Sequence, residues 1–590
     1  MTYVLGLSGL GESQPFMRRA FPGLDERIYR LAQGADAAAA LITEDGVVAA
    51  AAEERFVRDK GTGGFPRQAI EYVLAEAGAK LHDVDAVAHN FDYGPYRAVF
   101  ASSGTLAEYE QVYAPQVISR QLFDAFPRED WADGLQVRSV PHHRAHAASA
   151  YYCSGFPEAD VLVADGIGEF ESTTLYSGRQ DGLAVQAQVR GLHSIGLVYG
   201  LVTMHLGFWM NMDEYKVMGL APYGDQRPYA DAFEQIVVRL ADGGYATPLA
   251  YLNRTARERA TYERSLEHLE ALLGPPREPG SALEQRHLNI AATLQAVAES
   301  TVLGFLAGHH TSESPDSLCL AGGVALNCVV NQAVRRSGLY RRQYVQPAAG
   351  DDGTALGSAL GVLHDLIPRT QPAPAVMRQR LGVPYLGPSF GSKRAAEVLA
   401  EASVPGRRLP RQELAEHVAQ RLASGGVVAV FQGRMEYGPR ALGNRSILAD
   451  PRTAAMRDRI NSLVKQREEF RPLAPAVLYE YAATCFDIED PDDYLWMIET
   501  VDVKLDWRER LEAVTHVNGT ARIQVVRPTD NPLLWAVIDA FRRQTGIPVV
   551  LNTSFNSRGE PIVCSPSDAL ATYERMQLDA MVLEDLLVER

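Results

Sequence analysis

The stretch Val161-Leu162-Val163-Ala164-Asp165-Gly166-Ile167-Gly168 reads as a short buried strand that ends on an aspartate and opens into a glycine turn. A second stretch has the same form: Leu318 to Ala321 is apolar and runs into Gly322-Gly323, with a helix expected after it. Strands that alternate with helices and end in glycine turns define an α/β class, in which functional groups collect at the carboxyl ends of strands. Outward from these two stretches, Tyr3 to Gly6, Ala37 to Ile42 and Val47 to Ala52 read as strands, the last two joined by the turn Glu44-Asp45-Gly46. Pro66 starts an amphipathic helix carrying Ile70, Val73 and Leu74, and Asp83 to Ala88 is a further buried strand. In the last third come a helix from Arg411, a strand Val427 to Phe431, an Arg-rich stretch and a last strand, Pro548 to Asn552. Prolines 368, 372, 374, 384 and 388 crowd the part between. The sequence therefore predicts domains over residues 1–367 and 391–590, joined by a linker over 368–390. No internal repeat stands out.

The chain has 590 residues, too many for one hydrophobic core, and its 46% apolar and 22% charged residues are ordinary for folded protein. Lys plus Arg number 57 against 73 Asp plus Glu, a formal charge of −16. That balance argues against nucleic-acid or anionic-membrane partners, though a local Arg cluster can still hold phosphate. The N-terminus lacks the basic flank and cleavage site of a signal peptide, and no apolar run is read as long enough to span a bilayer. Five scattered cysteines, never in a CxxC pair, read as reduced core residues of a cytoplasmic protein.

Three constellations carry chemistry. In His142-His143-Arg144-Ala145-His146, a helix puts His142 and His146 on one face, as a shared metal requires. Asp165 and the pair Asp351-Asp352 follow strand-like runs and supply carboxylates. Imidazoles with carboxylates suit iron, zinc or manganese, and the missing HExxH argues against a metallopeptidase. Second, the turns Gly166-Ile167-Gly168 and Gly322-Gly323 before Asn327 let backbone approach a nucleotide, as in actin- and hexokinase-type folds. Third, Arg440, Arg445, Lys465, Arg467, Arg471 and Arg522 are interleaved with glycine, proline and apolar residues, with Ser554 and Asn556 beyond them. Guanidiniums converging on a pocket bind phosphate or carboxylate bidentately, which suggests a small polyanionic substrate.

With these blocks in hand, the chain resembles the NodU/TobZ-type O-carbamoyltransferases along nearly its whole length. The matching stretches are Glu53 to Phe56, His142 to Ala150, Asp165 to Glu169, Glu214 to Pro222, Gly438 to Ser446, Phe470 to Pro475 and Leu551 to Ile562. The resemblance implies a TsaD-like first domain of the actin/hexokinase (ASKHA) type and a YrdC-like α/β second domain. It implies that carbamoyl phosphate and ATP (with Mg) give carbamoyladenylate in the second domain. A hydroxyl of a small molecule, such as a polyketide, a macrolide sugar or an aminoglycoside, then takes the carbamoyl group at the first domain's metal site. Carried over residue by residue, His142, His146, Asp165 and Asp351 correspond to the ligands of Fe(II) or another divalent metal. Lys60, Gly166, Gly168, Gly322, Gly323 and Asn327 correspond to the nucleotide site. Arg440, Lys465, Arg471, Arg522, Ser554 and Asn556 correspond to the carbamoyl-phosphate set. One position departs. Where the family reads His-Asp, this chain has Ala35-Asp36, and the missing histidine is the expected general base for the hydroxyl. An engineered replacement and a natural divergence both account for Ala35; the intact surroundings favour the first. The length from Gly11 to Gln33, with Phe16, Arg18, Arg19, Phe21 and Tyr29, resembles the longer loop of members acting on macrocyclic polyketides, and is expected to line the acceptor pocket. Three other classes stand as alternatives: an inactive regulatory homologue, tRNA threonylcarbamoylation and a simple ATPase or sugar kinase. The first rests on Ala35 alone, the acidic balance disfavours the second, and the third leaves the second domain unexplained.

Overall fold

Contacts divide the chain into two units, Met1–Glu54 with Gly61–Leu381, and Arg55–Lys60 with Gly382–Arg590. The structure, a computed structural model, describes residues 2–590 apart from 33, 35, 128, 129, 133, 368–372, 466, 467 and 469. The break at Leu381 falls inside the proline-rich stretch. That the six residues 55–60 group with the second unit has no signal in the linear sequence.

The first unit is built on two five-stranded sheets. In one, β1 (Val4–Ser8), β2 (Ala38–Ile42) and β3 (Val47–Ala52) form an antiparallel meander, and β4 (Ala86–His89) and β5 (Val137–Ser139) add in parallel beyond β1. In the other, β6 (Ala159–Ala164), β7 (Glu171–Arg179) and β8 (Gly182–Arg190) form the meander. The ribbon β9 (Val238–Arg239) and β10 (Tyr245–Ala246) stands apart, and β11 (Ser317–Ala321) and β12 (Arg342–Val345) add in parallel beyond β6. The orders β3-β2-β1-β4-β5 and β8-β7-β6-β11-β12 are one topology used twice. The unit therefore contains an internal repeat of structure where the sequence shows none, and it has the duplicated architecture of the actin/hexokinase type.

Small residues decide how the layers meet. β2 and β3 bring Ala38, Ala39, Ala40, Ala49, Ala50 and Ala51 into the core, and the helices Arg67–Ala77 and Asp352–Leu366 pack on them. The helix Asp352–Leu366 is also pressed against β1 and against the helix His142–Ser154. At both contacts only hydrogen fits: a Cβ on Gly6 would overlap the Ala355 carbonyl oxygen, and one on Gly357 the Ala145 carbonyl oxygen. Backbone lies on backbone there. Another helix, Gln285–His309, is 25 residues long and apolar enough by length and composition to cross a membrane, contrary to the sequence reading. It packs through Ile290, Leu294, Ala298, Val302, Phe305 and Leu306, and 61% of its apolar window is buried, as in the core helix of a folded domain.

The second unit is an α/β unit on a mixed eight-stranded sheet. Its strands are β13 (Arg407–Arg408), β14 (Val428–Phe431), β15 (Arg445–Ala449), β16 (Ala474–Leu478), β19 (Gln524–Val526), β20 (Val549–Ser554), β21 (Ala580–Leu583) and β22 (Leu586–Glu589). They lie in the order β13-β22-β21-β14-β15-β20-β16-β19, and a separate ribbon joins β17 (Val501–Asp502) to β18 (Thr520–Ala521). The strand at 548–552 is thus not the last. The hairpin β21–β22 follows, with β21 parallel to the central β14.

Gly357→Val is expected to destabilise the first unit by about 1–3 kcal/mol or more, because the core must open to admit the side chain. Urea unfolding followed by fluorescence and proteolysis checks it; an unchanged midpoint would show that the helices have room to separate.

Candidate functional site

Four side chains far apart in sequence converge in the first unit. His142 and His146 stand one turn apart on the helix His142–Ser154, Asp165 follows β6, and Asp351 caps the helix Asp352–Leu366. One donor atom from each lies within 4.8 Å of all the others. His142 Nε2 is 3.2 Å from His146 Nε2, 3.3 Å from Asp165 Oδ2 and 3.5 Å from Asp351 Oδ1. His146 Nε2 is 3.4 Å from Asp351 Oδ1 and 3.8 Å from Asp165 Oδ2.

The histidine tautomer follows from its surroundings. His142 Nδ1 lies 3.2 Å from the Asn90 carbonyl oxygen, which can only accept, so Nδ1 carries hydrogen and Nε2 offers a lone pair to the cluster. The Phe91 ring stacks flat on the imidazole at 4.3 Å and 1°. Asn90 Nδ2 donates to Thr354 Oγ1 at 2.7 Å, and Thr354 donates to the Asp351 carbonyl, which ties the segment supporting His142 to the helix start at Asp351. Asp165 is held on its other oxygen: the Gly323 amide donates to Oδ1 at 2.8 Å. Gly322 makes that approach feasible, with φ +90° and a missing Cβ that would overlap the Ala164 carbonyl. His146 Nδ1 is buried without a hydrogen-bond partner, so the polar contacts of this ring are all made through Nε2, inside the cluster.

The four groups set one another's charge. Burial opposes ionisation of His142, yet the charge of Asp351 and the hydrogen bond to Asp165 outweigh it and raise the imidazole well above its ordinary value. Burial likewise opposes both carboxylates. The hydrogen bond from His142 and the imidazole charges nevertheless hold Asp165 well below the carboxylate range, and the His142 charge lowers Asp351. Without a cation, a proton on His142 balances the carboxylates. The donor set is nitrogen and oxygen only, with no thiolate, which suits a divalent transition metal. Bonds of about 2.0–2.2 Å near tetrahedral angles need donors about 3.3–3.6 Å apart, and the spacings that involve an imidazole, 3.2–3.8 Å, fit.

The remaining residues of the first unit are dispersed. A Cβ on Gly166 would meet nothing within 4 Å, so one side of that turn is open. Gly168 donates its amide to the Glu171 carbonyl at 2.7 Å and accepts from the Tyr93 hydroxyl at 3.4 Å. Asn327 is a helix cap: its Oδ1 accepts from the Val329 and Val330 amides at 3.2 Å each, and its Nδ2 donates to Gln295 at 2.9 Å. Asp36 precedes β2 and its carbonyl accepts from the Ser8 hydroxyl at 2.9 Å. Ala35 lies outside the described residues. Lys60 ends the segment that groups with the second unit rather than with the glycine turns of the first.

In the second unit, Lys465, Ser554 and Asn556 form one group. Lys465 is 5% exposed, and its Nζ donates to the Ser554 carbonyl at 2.6 Å, to Asn556 Oδ1 at 2.7 Å and to the Asn556 carbonyl at 2.9 Å. Ser554 Oγ donates to Asn556 Oδ1 at 2.7 Å. Arg471 pairs with Glu468 at 3.3 Å, and Arg440 sits half-buried between β14 and β15. Arg522 lies between β18 and β19; burial first, and then its charge, push His516 down to about 3. Arg467 lies outside the described residues. Arg445, read with the phosphate-facing cations, is instead a core residue. It is 0% exposed, lies 3.6 Å over the Phe431 ring, and donates to the carbonyls of Gln432, Asn444, Pro388 and Gly433. The sequence reading also missed Asn90, Phe91, Thr354 and Glu169 as supports of the cluster. Of these only Glu169 stood in a quoted motif.

A duplicated ATPase-type unit with such a cluster, followed by a second unit rich in half-buried cations, belongs to a group-transfer enzyme. Comparison with known proteins gives the group. The family models described as Carbamoyltransferase N-terminus and Carbamoyltransferase C-terminus match residues 31–360 and 419–590, and the chain belongs to this carbamoyltransferase family. Nodulation protein NolNO of Sinorhizobium fredii is 40% identical over 560 residues, covering 94% of this chain and 79% of that protein. The uncharacterized protein sll1178 of Synechocystis is 36% identical, covering 94% of this chain and 95% of its own. A 3'-hydroxymethylcephem-O-carbamoyltransferase of Amycolatopsis lactamdurans is 29% identical, covering 88% and 91%.

A proton on His142 must leave when a cation enters, so uptake of a divalent metal is expected to release protons at neutral pH. Because the shift is upward, apparent affinity should strengthen as pH rises toward the raised value and weaken, up to about tenfold per unit, as pH falls below it. Calorimetric titration with Mn(II) in buffers of different ionisation enthalpy measures the proton count; none released would show that His142 is neutral before binding.

Proposed function

We propose that the protein is an ATP- and metal-dependent O-carbamoyltransferase that moves the carbamoyl group of carbamoyl phosphate, by way of carbamoyladenylate, to a hydroxyl of a small natural product. The observation that carries the reading is the buried cluster of His142, His146, Asp165 and Asp351 in a member of this family. These four would hold Fe(II) or another divalent ion, which when bound polarises a carbonyl oxygen as a Lewis acid. Around it, the Asn90 carbonyl and the Phe91 ring keep His142 oriented, while the Gly323 amide keeps Asp165 aimed. In the second unit Arg440, Lys465, Arg471, Arg522, Ser554 and Asn556 form the phosphate-handling set, with the buried Lys465 fixing the strand end from which Ser554 and Asn556 project. There carbamoyl phosphate is hydrolysed to carbamate and phosphate, and a carbamate oxygen attacks the α-phosphorus of ATP, giving carbamoyladenylate and releasing pyrophosphate. The acceptor hydroxyl then attacks the carbamoyl carbon, its proton passes to a base, and AMP leaves.

The base is the weak point of this chain, because Ala35 stands where the family has histidine. A second reading therefore keeps the nucleotide site and gives up transfer. The acceptor is read as a polyketide, a macrolide sugar or an aminoglycoside, and the named activity of the cephem relative supports a small-molecule hydroxyl. The N-terminal segment that would line its pocket is a tied pair of helices, Ser13–Ala20 and Glu26–Tyr29. Tyr29 donates to the Phe21 carbonyl at 2.7 Å, and Arg18 covers its ring at 4.3 Å while pairing with Glu26 at 2.6 Å. Five buried free thiols fit a reducing, cytoplasmic setting.

With carbamoyl phosphate, ATP and Fe(II), the chain is expected to form carbamoyladenylate, Lys465→Ala to lose that step, and His142→Ala to keep it but lose transfer. Ala35→His should raise transfer by about 10²–10⁴-fold. Mass spectrometry of AMP and carbamoylated product in acceptor pools reads all four; nucleotide binding without consumption of carbamoyl phosphate in any of them would favour the second reading. Deleting residues 13–29 should raise the acceptor KM and leave adenylate formation unchanged, as steady-state kinetics of the Ala35→His protein would show.

A further inference from the structure

The helix that carries both histidines begins without a cap of its own. Pro141 precedes it, with no side chain to accept a hydrogen bond, and the first helical amide belongs to His142 itself. That amide points at a carboxylate from another element. Both oxygens of Glu169 lie 3.0 Å from His142 N, and Oε1 also accepts from the Asp92 amide at 2.7 Å. Glu169 is 5% exposed and follows the turn that begins at Asp165.

One carboxylate thus joins three pieces of the centre: the turn after Asp165, the start of the histidine helix, and the segment from Asn90 to Asp92. The last piece also supplies the carbonyl on His142 Nδ1 and the Phe91 ring on its face. A side-chain oxygen that accepts from the first amide of a helix stabilises its start, and here it also fixes the height at which the helix begins. A shift of a few tenths of an ångström along the helix would carry His142 and His146 together away from Asp165 and Asp351.

We propose that Glu169 is a positioning residue for the four-ligand centre: by bridging the His142 and Asp92 amides it sets how tightly the centre binds a cation. The inference rests on the reading that His142, His146, Asp165 and Asp351 hold a divalent metal, and the test separates the two. The full-length, metal-free protein is titrated with Mn(II) under electron paramagnetic resonance, and amide hydrogen exchange is measured over residues 141–146 before metal is added. Glu169→Ala is expected to weaken Mn(II) binding by about 10–100-fold and to speed exchange at the helix start. Glu169→Gln keeps one accepting oxygen but turns an N–H toward the His142 amide, so its affinity should fall between Ala and Glu. It carries the test alone if the alanine variant does not fold.

If His142→Ala binds Mn(II) as tightly as the unaltered chain, the metal reading itself is lost. If His142→Ala abolishes binding while both Glu169 variants bind normally, only the role of Glu169 is overturned. Weakened binding with unchanged exchange at 141–146 would also overturn it, since the residue would then act through something other than the helix start.

Discussion

Two carboxylates brought together beside two buried imidazoles repel one another, and the fold has to hold all four side chains in place against that repulsion. It does so with backbone. The helix behind Asp351 lies directly on β1 and on the histidine helix, at Gly6 and Gly357, where no side chain intervenes. Asp165 is pinned by the amide of Gly323, itself admitted by the turn at Gly322. Main-chain contacts of this kind leave little slack, so the donors keep their spacing whether a proton or a metal balances their charge.

The second unit handles charge in the opposite sense, by burying cations among oxygens that carry only partial charge. Arg445 shows the limiting case, its guanidinium spent on four carbonyls and a phenyl ring. Lys465 is one step less enclosed, with its ammonium on the strand end that presents Ser554 and Asn556. The sequence reading grouped the two as cations of one basic stretch, and nothing beside either of them in the chain marks which is enclosed. What separates them is whether the surrounding carbonyls close over the charge, and that is decided by chain paths distant in sequence.

The same distinction governs how much of the protein could be read in advance. The turn at Glu44-Asp45-Gly46 and the alanine-rich strands beside it were legible because hairpin chemistry is local, and β2 and β3 form there. The spacing of His142 and His146 was legible because a helix converts it directly into a shared face. The repeat of the sheet was not, because β1 to β3 are largely buried while much of β8 faces solvent, so equivalent strands carry unlike residues. The C-terminal hairpin was missed for a related reason: β21 and β22 make one apolar run broken only by Glu584 and Asp585, without a glycine or proline to mark the turn. Asn327 looked like a nucleotide contact from its place after the glycine turn, yet its side chain caps the next helix. The stacking of Phe91 on His142 had no local sign at all.

The duplicated topology makes β1 and β6 equivalent, so the segment after Ser8 and the segment after Ala164 leave the same corner of their respective sheets. One copy spends that corner on Asp165 and a tight glycine turn. The other spends it on the paired helices from Ser13 to Tyr29. Only one of the two equivalent corners carries a member of the four-residue cluster, so the doubled architecture is symmetric in its strands and asymmetric in its chemistry.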